Sequence, residues 1–280
     1  MKKLLLLLGV WMMVGCNFAS NDLNATGLKK LHQQNYHGAI EDFNKAIALN
    51  ENNGVAYYNR GLTKGYIGDT AGALADYDKA ISLRKTDKNA TLYLAVCYCN
   101  RGLIKSGKKN NESAIDDYDE AIHLNPSMGI ALFDKAHVEY TLNEYDKAII
   151  DFTKAIEIAK TDTYANQYYS FSYMCRGVCL YQQHKYDEAF ANLDTALIKD
   201  PKNTLAQYNK AVFYYERGNY ADAAENFNLL TKQPKYAVVN YYLAMIDIKN
   251  GYKDIARGEM NKAKNGGLPG MADTIKKYFP

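Results

Sequence analysis

Seven times along this 280-residue chain an alanine is followed, four positions later, by an aromatic or large apolar residue. The alanines are Ala39, Ala73, Ala114, Ala148, Ala189, Ala223 and Ala256, and the large partners are Phe43, Tyr77, Tyr118, Phe152, Leu193, Phe227 and Met260. A second alanine follows three residues further on in every copy but the sixth, which has Leu230. Twelve residues before each first alanine stands Gly27, Gly61, Gly102 or Gly177, or the small Ala136, Ala211 or Ala244. A period of this length marks a repeated supersecondary unit, and no single unit buries its apolar face alone. Two antiparallel helices, A then B, account for the residue types: small residues where the helices cross closely, and an aromatic in the gap beside them. The early units start 34, 41, 34, 41 and 34 residues apart, so a 75-residue pair is duplicated. The seven extra residues, Lys88 to Leu94 and Thr163 to Tyr169, follow Asp87 and Asp162, which are placed as helix N-caps. Seven residues are close to two helical turns, which lengthens helix A in alternate units and keeps its faces in phase.

The small–aromatic–small spacing, with Pro126 and Pro201 closing two units, resembles the tetratricopeptide repeat over about nine-tenths of the chain. The resemblance implies an all-α fold, a right-handed superhelical solenoid of helical hairpins. Seven units are expected at 20–53, 54–87, 88–128, 129–162, 163–203, 204–236 and 237–270. Gly266, Gly267, Pro269 and Gly270 break the array, and 271–280 is expected to form a short capping helix with Ile275, Tyr278 and Phe279 against the last unit.

The N-terminus carries a different signal. Lys2 and Lys3 precede an apolar run from Leu4 to Val14, too short to span a bilayer, which needs about 20 residues. Residues 1–15 therefore read as a secretory signal. Met13-Val14-Gly15-Cys16 resembles the lipobox of bacterial lipoproteins, with Met13 where leucine is usual. That resemblance implies cleavage before Cys16, a lipid on its thiol, and a tether over 16–19. The expected location is the bacterial envelope, with the outer membrane as the anchoring surface.

Little in the chain speaks for catalysis. The net charge is +3 with acids and bases interspersed, which argues against a nucleic-acid partner. Gly102-Leu-Ile-Lys-Ser-Gly107-Lys108 has the start of a phosphate loop, but Lys109 stands where Ser or Thr must hold magnesium. Cys97, Cys99, Cys175 and Cys179 do not converge with a histidine on four ligands and read as small core residues. No HExxH or GxSxG phrase occurs. The acids around each aromatic, such as Asp76, Asp78, Asp117 and Asp119, read as a solvated convex face paired with lysines. No catalytic residue, metal or cofactor is assigned.

One phrase recurs on helix A: YYNRG at 57–61, YCNRG at 98–102, YMCRG at 173–177 and YNKA at 208–211. Its Asn is the sixth residue of the unit, giving Asn59, Asn100 and Asn209, with Asp134 at that place in the fourth unit. The neighbouring Arg or Lys packs its stem and sends its head to solvent or an acid. In tetratricopeptide proteins helix A lines the concave groove, and the second, fifth, sixth, ninth and twelfth residues commonly face it. The resemblance therefore implies groove contacts from Tyr58, Asn59, Asn100, Phe133, Asp134, Tyr208 and Asn209. Amides at repeat spacing can pair with the backbone of an extended peptide, and aromatics add contact area at low entropy cost. The expected function is a non-catalytic scaffold, lipid-anchored in the envelope, that binds a protein or extended peptide. The alternative is a helical enzyme or accessory subunit acting on envelope polymers.

Overall fold

The computed structural model describes residues 18–83, 91–161, 166–231 and 237–279, and every regular element among them is a helix. Cys16, Asp87 and Asp162 lie outside the described residues. The chain forms two compact units, Met1–Leu142 and Asn143–Pro280.

The first unit holds helix α1 over residues 18–32, then α2 (Tyr36–Leu49), α3 (Gly54–Tyr66), α4 (Thr70–Ser82), α5 (Thr91–Gly107), α6 (Asn111–Leu124) and α7 (Gly129–Thr141). Each hairpin turns on one residue in the left-handed region: Gln34 (φ 60°), Gly68 (φ 83°) and Lys109 (φ 61°). Lys109 thus has a backbone job in the turn that closes α5, and the GLIKSGK stretch is the end of a repeat helix. Asn35, Asn53 and Asp69 then cap the next helices by accepting a backbone N–H three residues on.

The repeated alanines are where helices meet. Ala39, Ala73 and Ala114 are fully buried, as are Ala46, Ala80 and Ala121, and Phe43, Tyr77 and Tyr118 fill the space between them. The glycines one helix back explain their own spacing. A Cβ on Gly61 would stand 3.0 Å from Tyr77 Cε1, and one on Gly102 would stand 3.0 Å from Tyr118 Cε1. Glycine leaves the room that the aromatic ring of helix B occupies against helix A.

The second unit holds α8 (Tyr145–Ala159), α9 (Asn166–Gln182), α10 (Tyr186–Lys199), α11 (Thr204–Glu216), α12 (Tyr220–Asn228), α13 (Ala237–Lys249), α14 (Lys253–Asn265) and α15 (Met271–Tyr278). His184 (φ 62°), Gly218 (φ 77°) and Gly251 (φ 84°) are its hairpin turns. Phe152, Leu193, Phe227 and Met260 are fully buried against the alanines. Beyond Gly270, in the left-handed region at φ 74°, α15 buries Met271 and rests Ile275, Tyr278 and Phe279 on the last hairpin.

Helices α5 and α9 are 17 residues long, against 13 for α3, α7, α11 and α13. Four of each set of seven extra residues, Thr91–Leu94 and Asn166–Tyr169, continue the helix by about one turn. The rest of both insertions lies outside the described residues.

A polar relay joins successive hairpins once in each unit. Ser20 Oγ donates to the Ala46 carbonyl at 2.8 Å and accepts from Asn53 Nδ2 at 2.8 Å. Ser170, Ala196 and Asn203 repeat the same two bonds at 2.8 Å each. In both cases the Asn caps the following helix, through Ala56 and Ala206. The buried serine thereby satisfies a carbonyl near the end of one helix and fixes the cap of the next.

Candidate functional site

The YxNRG phrase divides its residues between two faces of helix A. Its Tyr and Arg form the scaffold. The Arg60 guanidinium lies 5.3 Å from the Tyr57 ring centre, Arg101 5.2 Å from Tyr98, and Arg176 5.2 Å from Tyr173. From that seat Arg60 grips Asp76 with both edges of its fork, Nε to Oδ2 at 2.9 Å and Nη2 to Oδ1 at 2.5 Å. Arg101 grips Asp117 at the same two distances. Lys64 adds a contact to Asp76 at 2.8 Å, and Lys105 one to Asp117 at 2.7 Å. The remaining nitrogen reaches back one hairpin, from Arg60 to Asn44 at 2.7 Å and from Arg101 to Asp78 at 2.6 Å. One arginine therefore ties its own two helices together and joins them to the preceding hairpin.

This corrects the reading of the acids as a solvated face. Asp76 and Asp117 are each 3% exposed and serve as the buried anchors of the clamp. Asp78, Asp116, Asp119 and Glu120 do meet solvent, as expected, and Asp78 and Asp119 are paired, with Arg101 at 2.6 Å and with Lys135 at 2.8 Å. A fully hydrogen-bonded bidentate pair is what makes a buried carboxylate tolerable.

The other two residues of the phrase turn to a cleft of about 550 Å³ in the first unit. Tyr58 and Asn59 line it from α3 together with Leu62 and Tyr66. Leu28, Leu31 and His32 line it from α1, and Tyr36 from the start of α2. Tyr36 at the start of α2 and Tyr66 at the end of α3 stack at 5.7 Å, and Tyr58 stacks on Tyr93 of α5 at 6.3 Å. Burial pushes the Tyr58 phenol up to about 12, so it is a neutral group at any physiological pH. Asn59 is 3% exposed and donates from Nδ2 to Asn24 Oδ1 at 2.9 Å. Its side-chain Oδ1 receives no hydrogen bond from the described residues, which leaves one acceptor beside an apolar wall.

The remaining sequence-derived groove residues are not gathered into this cleft. Asn100 is half-buried and donates to the Tyr77 hydroxyl at 3.4 Å, a long bond. Phe133 and Asp134 are half-buried on α7, and burial pushes the Asp134 carboxyl up to about 7. In the second unit Tyr208 packs edge-on to Phe227 at 6.2 Å and to Tyr242 at 6.3 Å, as part of the core. Asn209 beside it is half-buried. Leu28, Leu31 and Leu62 were open to the sequence, because they are the ninth and twelfth residues of the first unit and the ninth of the second. The Tyr36–Tyr66 stack has no such signal, since the two rings come from different helices and different repeats.

Chemically the cleft can accept apolar side chains and present neutral hydrogen-bonding groups; it carries no carboxylate, lysine or arginine. Cys97, Cys99, Cys175 and Cys179 are free, and burial pushes the thiols of Cys97, Cys99 and Cys175 up to about 12, which leaves them unreactive. Among the described residues no three His, Cys, Asp or Glu side chains are placed to share a metal ion. No described helix is long and apolar enough to cross a membrane.

Comparison with known proteins places this geometry. One model of the tetratricopeptide repeat matches residues 99–163 and 177–237, and a second matches 55–87. A TPR repeat-containing protein of Methanocaldococcus jannaschii is 32% identical over 244 residues, which is 84% of this chain and 40% of that protein. The chain thus spans about two-fifths of the length of that curated relative. Among solved structures, a tetratricopeptide repeat protein from Parabacteroides merdae superposes with a TM-score of 0.62 at 19% identity, covering 93% of this chain and 97% of its own. YrrB, described as a TPR protein with an unusual peptide-binding site, superposes with a TM-score of 0.52 at 21% identity, covering 72% of this chain and 97% of its own. At these identities the two structures speak for the fold alone.

Proposed function

The chain belongs to the tetratricopeptide repeat family, and from that premise we propose that it is a non-catalytic scaffold that holds an extended segment of a protein partner. The observation that carries this reading is the cleft of the first unit. It is apolar and aromatic, open, and edged by an amide with an unspent acceptor. Such a surface suits a strand of peptide, whose side chains fill the apolar wall while its backbone N–H meets Asn59. The peptide-binding site that names YrrB lends support by analogy.

The Met13–Cys16 phrase supports a second element of the proposal. The mature chain would begin at a lipidated Cys16, which tethers the scaffold to the bacterial envelope, at the outer membrane. One acyl chain gives only marginal binding and more than one holds firmly.

Probing the intact chain on an array of random extended peptides tests the cleft. We expect binding by a subset of peptides, lost when Leu62→Glu places a charge in the apolar wall, weakened by Tyr58→Ala, and unchanged by Glu120→Ala on an exposed surface. Equal binding by Leu62→Glu and wild type would remove the cleft from the function. The tether is tested separately: Cys16→Ser should move the protein from the detergent phase to the aqueous phase, and identical partition of both would end the lipoprotein reading.

A further inference from the structure

Acids in the first unit are paired almost wherever they are buried. Asp42 has Lys30 at 2.6 Å, Asp76 has Arg60 and Lys64, Asp117 has Arg101 and Lys105, and Glu139 has Lys135 at 3.7 Å. Asp134 is different. It is half-buried on α7, and burial alone acts on its carboxyl, with no hydrogen-bond or ion-pair partner among the described residues. The adjacent cation, Lys135, is engaged by Asp119 and Glu139. Within the first unit the Cys99 thiol of α5 and the Tyr118 phenol of α6 are near enough to feel the charge of Asp134, and burial keeps both protonated at neutral pH. On α7 itself His137 stands one turn on, exposed.

The repeat register says which face this is. Asp134 is the sixth residue of its unit, the place held by Asn59 in the cleft and by Asn100 in the third unit. The parallel is local as well: Asn100 meets the Tyr77 hydroxyl of the preceding helix B, and the charge of Asp134 acts on the corresponding Tyr118. Take the second, fifth, sixth, ninth and twelfth residues of helices α1, α3, α5 and α7. They include one carboxylate, Asp134, and no lysine or arginine. Apart from His137, the ninth residue of its repeat, the only ionisable carboxylate or basic side chain at these positions is therefore one acid without a partner among the described residues.

We propose that Asp134 receives the side chain of a lysine or arginine in the bound partner segment, so that the first unit selects an apolar segment carrying a single cation. This rests on the peptide-holding function proposed above. A half-buried carboxylate held away from water is costly while alone, and burial raises its carboxyl from the ordinary 3.8 to about 7. A cation from the partner removes that cost. The amides at the other sixth positions recognise backbone, and this one position recognises charge.

The test uses the intact chain and an array of peptides that are uncharged except at one central position, each made with Lys, Gln and Glu there. We expect wild type at about pH 8 to prefer the Lys form over its Gln twin by about tenfold, the scale of one charge-assisted hydrogen bond. The Glu form should bind least. The preference should fade below about pH 6, as Asp134 takes up its proton. Asp134→Asn keeps the residue type of the neighbouring repeats and should bind Lys and Gln forms equally at every pH. His137→Gln should retain both the preference and its pH dependence. Peptide binding without a Lys preference, or a preference that survives Asp134→Asn, overturns the inference and leaves the scaffold reading intact. Failure of every peptide to bind overturns the scaffold reading and the inference with it.

Discussion

The two units build the same hairpin with different chemistry at the helix junction. In the first unit the arginine of helix A closes on a buried carboxylate, Arg60 on Asp76 and Arg101 on Asp117. In the second the partner is neutral: Arg176 donates from Nε to Asn192 Oδ1 at 2.8 Å and from Nη1 to Thr153 Oγ1 at 2.9 Å. The second unit packs rings where the first packs charges. Tyr181 stacks on Phe213 at 3.6 Å, Phe190 on Tyr214 at 4.5 Å and Phe227 on Tyr242 at 4.9 Å. Burial pulls the Arg176 guanidinium below its ordinary value, and Tyr173, Glu157 and Glu188 offset this only in part. The alanines and aromatics set the crossing, and the polar junction is free to vary so long as the guanidinium finds acceptors.

The largest expected effect breaks the charged junction. Asp117→Ala leaves Arg101 and Lys105 facing each other without their shared anion, which should cost about 3 kcal/mol of stability. Asn192→Ala removes one neutral acceptor and should cost about 1 kcal/mol. Hydrogen exchange read helix by helix would place the first loss in α5 and α6 and the second in α9 and α10. Equal losses would mean that the two junctions are energetically alike and the contrast is only chemical.

A smaller effect of opposite sign is expected one helix further on. The folded chain holds the Asp134 proton more tightly than the unfolded chain, about 7 against 3.8. Its contribution to stability is therefore fully present below about pH 4 and is lost as pH rises to about 7. Asp134→Asn should make the free protein more stable at pH 8, by on the order of 2 kcal/mol, with the gain vanishing toward pH 4. Urea titrations of both proteins across that range would read it. A destabilised Asn variant at pH 8 would show that the carboxylate is held by a partner in the free chain.

Much of this architecture was legible because packing leaves few choices. Ala73, Tyr77 and Ala80 with Gly61 can only be a close helix crossing, and the period then aligns all the hairpins. Gly68, Gly218 and Gly251 carry the signal that glycine gives for a left-handed turn, whereas Gln34, Lys109 and His184 carry none, their left-handed backbone being imposed by the hairpins on either side. The arginine of the YxNRG phrase is expected to send its head to solvent or an acid, and it does reach an acid; the phrase does not name which one, since it lies 16 residues away on another helix. That constant separation, shared by Arg60–Asp76 and Arg101–Asp117, was the available signal. At the cleft, register finds Tyr58, Asn59 and the three leucines, whereas the Tyr36–Tyr66 wall needs the packing of α2 against α3.

The finest test exchanges only the shape of the cation. Arg101→Lys keeps the charge but has one nitrogen where three are used, two on Asp117 and one on Asp78. The fork cannot be reproduced, and the tie to the preceding hairpin is lost with it. The expected cost is about 1–2 kcal/mol. Arg176→Lys gives up a neutral bond to Asn192 or to Thr153, and its expected cost is about 0.5–1 kcal/mol. Salt separates the two further. The Asp78 side chain is 60% exposed, so its pair with Arg101 weakens as the screening length falls to about 3 Å near 1 M salt. The Asp117 side chain is 4% exposed and keeps its share. The cost of Arg101→Lys should accordingly shrink with added salt without disappearing, while that of Arg176→Lys stays level. Denaturation midpoints of the two variants at low and high salt would show it; a salt-independent Arg101→Lys would mean that the tie between hairpins contributes nothing and that the buried fork alone distinguishes the first unit from the second.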